Sequence, residues 1–251
     1  MQISPPFGYT EVVPFLKTQK VRLLAPGQVP EFVQRGSAVP ISHVEFQPVA
    51  RHYPIVFTTG DAGKTFAAVA VLGLTPAENL YYVNGKWIGG AYLPAYARRF
   101  PFCMAKVSVN KVEQKDRLIC VEKSWLDDAG EAMFDASGQP SDKWKNIERL
   151  LSEYEVDLER MREMCALLVD YGLLEPFSMQ ATLKEEKGGG QMQMAGMHRV
   201  IERNLENLNA AQLKNLMRKG YLARIYLHLL SLENFARLLD RKARQSAAAP
   251  A

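Results

Sequence analysis

The chain has 251 residues, of which 47% are hydrophobic and 23% charged, and carries a net charge of +4. That is enough apolar material for a sizeable core without disulfide staples, and Cys103, Cys120 and Cys165 show neither a CxxC pair nor zinc spacing, so they read as reduced core residues. Residues 1–110 hold ten Lys/Arg against five Asp/Glu, 111–141 four against seven, and 142–251 seventeen against fifteen, so no stripe has the basic density of a nucleic-acid footprint. No uninterrupted apolar run approaches the roughly 18 residues of a membrane span, and the N-terminus MQISPPFGYTEVVPFLKTQK lacks the basic and apolar regions of a secretory signal. A cytoplasmic protein with no nucleic-acid partner and no membrane insertion is expected.

The fold class expected is α+β. Residues 1–38 are spaced by Pro5, Pro6, Pro14, Pro26 and Pro30, with Pro40 just beyond, and prolines favour extended geometry. They read as an extended arm packing through Phe7, Tyr9, Phe15 and Leu16. Residues 39–140 read as a β-rich part, barrel-like or a sheet. Val44-Glu45-Phe46 alternates, Ile55–Thr58 is a compact β-prone run, and Phe66–Leu72 is small and apolar. Tyr81-Tyr82-Val83, Asn84-Gly85 and Lys86-Trp87-Ile88 form the firmest local signal, because Asn-Gly accepts positive φ at both turn positions. Lys106–Val112 and Arg117–Glu122 read as two further strands. The turn-rich stretch 127–140, interrupted by Met133-Phe134, reads as the junction to a helical part spanning 141–245 of the same domain.

There Ser141 is placed to cap a helix containing Trp144. Leu150, Tyr154, Leu158, Met161, Cys165 and Leu168 form its apolar stripe, and Gly172 and Pro176 end it. Lys184–Gly190, KEEKGGG, reads as a connector, and Asn209 caps a short helix ending near Gly220. One amphipathic helix is then expected from Tyr221 to about Arg244, with residues 246–251 a disordered tail. Its apolar face suits the core or a partner helix, including a homo-oligomer. Arg237, Arg241 and Lys242 are too few to mark a membrane surface.

Tyr92–Phe102, YLPAYARRFPF, carries the clearest binding chemistry. Pro94 and Pro101 bracket a turn or two of helix on which Arg98 and Arg99 project roughly 100° apart. Guanidinium forks match carboxylate or phosphate, and aromatic neighbours hold them by stacking. The candidate ligand-binding set is Arg51, Tyr53, Trp87, Tyr92, Tyr96, Arg98 and Arg99. The competing reading is that arginines pair with internal carboxylates such as Glu45 or Glu78 and pin the fold. No catalytic residue and no cofactor are expected. His43 and Glu45 are the pair with metal-ligand character, since a strand would place both on one face, but a third ligand is missing. Residues 59–65 end in GKT, yet Thr58 occupies the first glycine of a P-loop, so a hairpin turn is the reading there.

In order, SAVPISHVEFQPVARHYPIVF, VLGLTPAENLYYVNGKWIGGAYLPAYARRFPF, GLLEP and LARIYLHLLSLENFARL resemble the landmarks of the SapC family over residues 37–240. The matching elements are Tyr53–Phe57, Gly85 and Trp87, Tyr92–Ala95, Arg98–Phe102 and Leu229–Asn234. The resemblance implies a bacterial cytoplasmic accessory protein associated with surface-layer or TonB-dependent transport systems, with a protein or peptide partner. It brings no enzymatic mechanism. The GGG at Gly188–Gly190 departs from the family pattern. A non-enzymatic protein binding a peptide or anionic small molecule is the preferred reading. The alternatives are a metal- or partner-dependent enzyme modifying such a molecule, and a subunit of a larger assembly.

Overall fold

The computed structural model describes residues 2–105, 107–109, 112–113, 117–183 and 190–248. They fall into two compact units, Met1–Val33 with Ala95–Val156, and Gln34–Pro94 with Asp157–Ala251. Antiparallel sheets and helices occur together, so the class is α+β.

In the first unit the N-terminal segment is part of the sheets. Val12–Pro14 and Phe102–Ala105 flank Leu118–Glu122, and Lys20–Val21 pairs with Glu131–Ala132. Tyr9 and Phe15 pack as expected, whereas Phe7 and Leu16 stay 62% and 57% exposed. Val21, Phe102, Val121, Met133, Trp144 and Leu151 form the core, with Phe15 and Phe134 packed at a tilt against Trp144. Met133 therefore makes the turn-rich 127–140 stretch a core contributor. Cys103 lies opposite Cys120 in the sheet, and burial raises both thiols, to about 12 and about 11.

Asp142–Asp170 is one long helix, and the backbone N–H of Trp144 donates to Ser141 Oγ at 3.1 Å, the cap expected from sequence. It ends where Gly172 takes φ +63, closed by Leu173 N–H to Leu168 O and Gly172 N–H to Val169 O.

The second unit is built on a five-stranded antiparallel sheet. Its order is Leu174–Leu183, Gly190–Val200, Ile55–Thr58, Ala67–Val71, Ala38–Pro40. The first two strands form the longest hairpin among the described residues and lie inside the stretch read as helical. The connector at 184–189 is outside the described residues. The Asn-Gly hairpin forms as expected: Tyr82 pairs with Trp87, Asn84 has φ 52 and Gly85 φ 76. The 59–65 loop is a hairpin turn, as its sequence indicated. Asp61 accepts hydrogen bonds from the N–H groups of Lys64 and Thr65 and from the hydroxyls of Thr59 and Thr65. These donors, the Thr65 hydroxyl first, hold the Asp61 carboxyl down at about 2.

Two expectations fail here for identifiable reasons. His43–Glu45 is a 3-10 turn leading into the helix Phe46–Ala50, because Glu45 Oε2 folds back onto the Ser42 N–H at 2.8 Å. The final helix is two helices, Tyr221–Ser231 and Asn234–Ala248. At the break, Ser231 Oγ accepts from Ile55 N–H (2.9 Å) and donates to His228 O (2.6 Å). Asn234 Nδ2 donates to Ala50 O and Tyr53 O. The second helix extends through Ala248, so three residues assigned to the tail are helical.

His228 completes this join. The sheet pairs Gly190–Val200 with Ile55–Thr58 only at Met197–Thr58 and His198–Phe57. Beyond that the fully buried imidazole stands between the strands, with Nδ1 2.8 Å from Ile55 O and Nε2 accepting from Val200 N–H at 3.1 Å. This pattern requires the neutral Nδ1–H tautomer. Burial dominates and lowers the imidazole to about 4. No described helix is long and apolar enough to cross a membrane.

Candidate functional site

The residues singled out in the sequence divide between the two units. In the first, Ala95–Arg98 is a single helical turn, placing Arg98 on the exposed side and Arg99 inside. Arg99 is only 3% exposed, and its guanidinium lies 4.0 Å from the Tyr96 ring centroid, 4.8 Å from Tyr154 and 5.7 Å from Tyr9. Its Nη1 is 3.8 Å from Glu155, which also pairs with Arg117. The tyrosines are fixed in turn: Tyr9 donates to Phe102 O at 2.7 Å and Tyr96 to Phe7 O at 2.6 Å. Three rings and a carboxylate thus compensate the charge of this desolvated cation. The internal-pairing reading therefore describes Arg99, with Glu155 as the carboxylate.

In the second unit, Tyr53, Tyr81 and Trp87 form one buried cluster. The Tyr53 and Tyr81 centroids are 4.5 Å apart, and Tyr81 stacks on Trp87 at 6.1 Å with planes 25° apart. Tyr53 donates its hydroxyl to Tyr92 O, Tyr81 donates to His52 O, and Tyr92 donates to Glu45 Oε1 at 3.0 Å. Tyr53 has no exposed surface and burial raises its phenol well above the usual range, so it acts as packing.

His43 and Glu45 do not make the facial pair that a strand would give. They sit two residues apart on a 3-10 turn, where such positions diverge. Glu45 caps Ser42 and accepts from Tyr92, while the His43 ring packs edge-on against Tyr221 at 5.4 Å. Among the described residues no cluster of three His, Cys, Asp or Glu has metal-binding geometry.

What the structure adds is an arginine face on this aromatic base. Arg237, Arg241 and Arg244 recur at i, i+4 and i+7 of Asn234–Ala248 and so share one side of that helix. With Leu80, Val83 and Asp240 they line a cavity of about 340 Å³. The Arg241 guanidinium lies 4.6 Å from the Tyr81 ring centroid, and Arg237 Nη1 donates to Arg51 O at 2.9 Å. Arg51 itself is exposed at the end of Phe46–Ala50. The field of these groups reaches His52, whose imidazole is lowered first by burial and then by Arg237, Arg51 and Arg241.

Among the described residues none of Arg51, Arg237, Arg241 and Arg244 forms an ion pair with a carboxylate, in contrast to Arg99. Glu78, an internal partner suggested by sequence, is taken by Lys242 and by the N–H groups of Leu74 and Thr75. Asp240 lines the same cavity and sets the acidic limit of an otherwise cationic wall. Of the candidate residues proposed from sequence, Tyr53 and Trp87 thus pack on Tyr81, which Arg241 covers, Tyr92 is bonded to Tyr53 and Glu45, Arg51 meets Arg237 through its carbonyl, and Tyr96 and Arg99 serve the first unit's core.

A family model described as SapC matches residues 19–238. No curated protein and no solved structure matches.

Proposed function

The chain belongs to the SapC family, and on that premise we propose that it is a non-enzymatic bacterial accessory protein that binds a peptide or small molecule by an anionic group. Arg51, Arg237, Arg241 and Arg244 hold that group, and Leu80, Val83 and the Tyr81 ring contact its apolar neighbour. The observation that carries this reading is the gathering of Arg237, Arg241 and Arg244 at one cavity, with Arg51 bonded to Arg237 through its carbonyl, none of the four having a carboxylate partner among the described residues. Guanidinium forks without a carboxylate partner beside an apolar wall favour a carboxylate or phosphate on an organic body. A cytoplasmic location and a link to surface-layer or TonB-dependent systems belong to the same proposal.

The test is thermal unfolding at constant ionic strength with inorganic phosphate or acetate added. A dose-dependent rise in Tm that disappears in Arg237→Ala/Arg241→Ala supports the reading. Equal rises in both proteins would place anion binding elsewhere and reject it.

A further inference from the structure

A larger cavity of about 500 Å³ lies elsewhere in the second unit, between the 58–67 turn and the long helix. It is within the ~300–1,000 Å³ span of small-molecule pockets. Leu158, Met161, Cys165 and Val169 recur at three- and four-residue steps and give the helix side an apolar wall, faced by Phe66. Val169 keeps 39% of its surface exposed, so this wall is not sealed by the protein's own core. The charged residues lining the cavity, Lys64 and Arg162, are both cations. Arg162 pairs with Glu159 one turn earlier, whereas Lys64 has no carboxylate partner among the described residues. Asp61, the acid on the same turn, is consumed by the four donors that close its loop.

An apolar trough with cations at its edge is complementary to one class of molecule: an anion with an aliphatic tail. We propose that this cavity is a second binding site, taking a monomeric medium-chain carboxylate with its tail along Leu158–Val169 and its headgroup at Lys64 and Arg162. Cys165 supplies wall surface and no covalent chemistry, since it is 2% exposed and its thiol is pushed up to about 12 by burial.

The experiment is calorimetric titration of the full chain with decanoate, decanol and decyltrimethylammonium, each below its aggregation concentration. Decanoate is expected to bind one-to-one and most tightly, and the trimethylammonium compound most weakly. Lys64 and Ala166 are exposed, so their variants leave the core intact. Lys64→Glu should weaken decanoate by about tenfold while leaving decanol unchanged, because only the charged headgroup meets that side chain. Ala166→Trp should fill the trough and abolish both. Absence of decanoate binding, equal binding of the cationic compound, or decanoate binding that survives Ala166→Trp would overturn the proposal. So would loss of decanoate binding in Arg241→Ala with Lys64→Glu unaffected, which would move the carboxylate to the arginine face.

Discussion

Replacing Arg99 with alanine separates a structural arginine from a binding one. The side chain is 3% exposed and stacks on Tyr96, Tyr154 and Tyr9 while facing Glu155. A desolvated cation–π contact contributes about 2 kcal/mol. Truncating one partner of a buried pair costs about 3–5 kcal/mol, because the remaining charge is left poorly compensated. Arg117 still reaches Glu155 and softens the second effect, so the loss belongs near the lower end, about 3 kcal/mol. With a urea dependence of about 2–3 kcal/mol/M, the midpoint should fall by about 1 M or more. Trp125 and Trp144 lie in the same unit and provide the fluorescence signal. A midpoint within ~0.2 M of wild type would refute the assignment, since a surface substitution costs no more than about 0.5 kcal/mol. Arg99→Lys should recover part of the loss, keeping the charge without the planar stack.

The remaining predictions concern the join around Ile55 and the turn at Gly73. His228 is held neutral at about 4 when folded, against 6.5 when unfolded, so between those values the unfolded chain binds more protons and stability falls as pH falls. Urea midpoints measured from pH 7 to pH 4 should drop steadily, with His228 contributing on the order of 3 kcal/mol by pH 4; a flat profile would contradict the buried neutral ring. Ser231→Ala strands the buried Ile55 N–H and should cost about 1–3 kcal/mol, measured in the same way, with no loss indicating another acceptor. Gly73→Ala would place a Cβ 2.1 Å from Glu78 O, a backbone atom, and should destabilise the protein by at least about 1–3 kcal/mol; wild-type Tm would show that the 73–78 turn relaxes freely.

Local signals were readable where the responsible residues are neighbours in sequence. Asn84-Gly85 dictated its hairpin, Ser141 and Asn209 their helix caps, and the stripe from Leu150 to Leu168 its helix. The failure at Val44-Glu45-Phe46 was a choice between two local signals: the alternation is only three residues long, while Ser42 and Glu45 satisfy the Ser-x-x-Glu capping pattern. The hairpin Leu174–Val200 also left a trace, since Gln191-Met192-Gln193-Met194 alternates with period two.

The break after Ser231 was not visible locally, because Leu229, Leu232 and Phe235 continue a helical pattern across it. Its cause is distant: Ile55, Ala50 and Tyr53 supply the groups that Ser231 and Asn234 bind. Tyr53–Phe57 and Leu229–Asn234, two of the segments that carry the sequence resemblance, are thus two halves of one structural joint. The arginine face was half legible. The spacing of Arg237, Arg241 and Arg244 is in the sequence, but Tyr81 and Arg51 meet that helix only through the fold.

Anion binding at this face requires those arginines to be available to an external group. The most direct test follows the arginine Nε–Hε NMR signals during titration with inorganic phosphate at fixed ionic strength. Saturable, coincident shifts are expected for Arg51, Arg237, Arg241 and Arg244, with Arg99 and the exposed Arg218 unmoved. Shifts of equal slope at Arg218 and Arg241, without saturation, would contradict the proposed site.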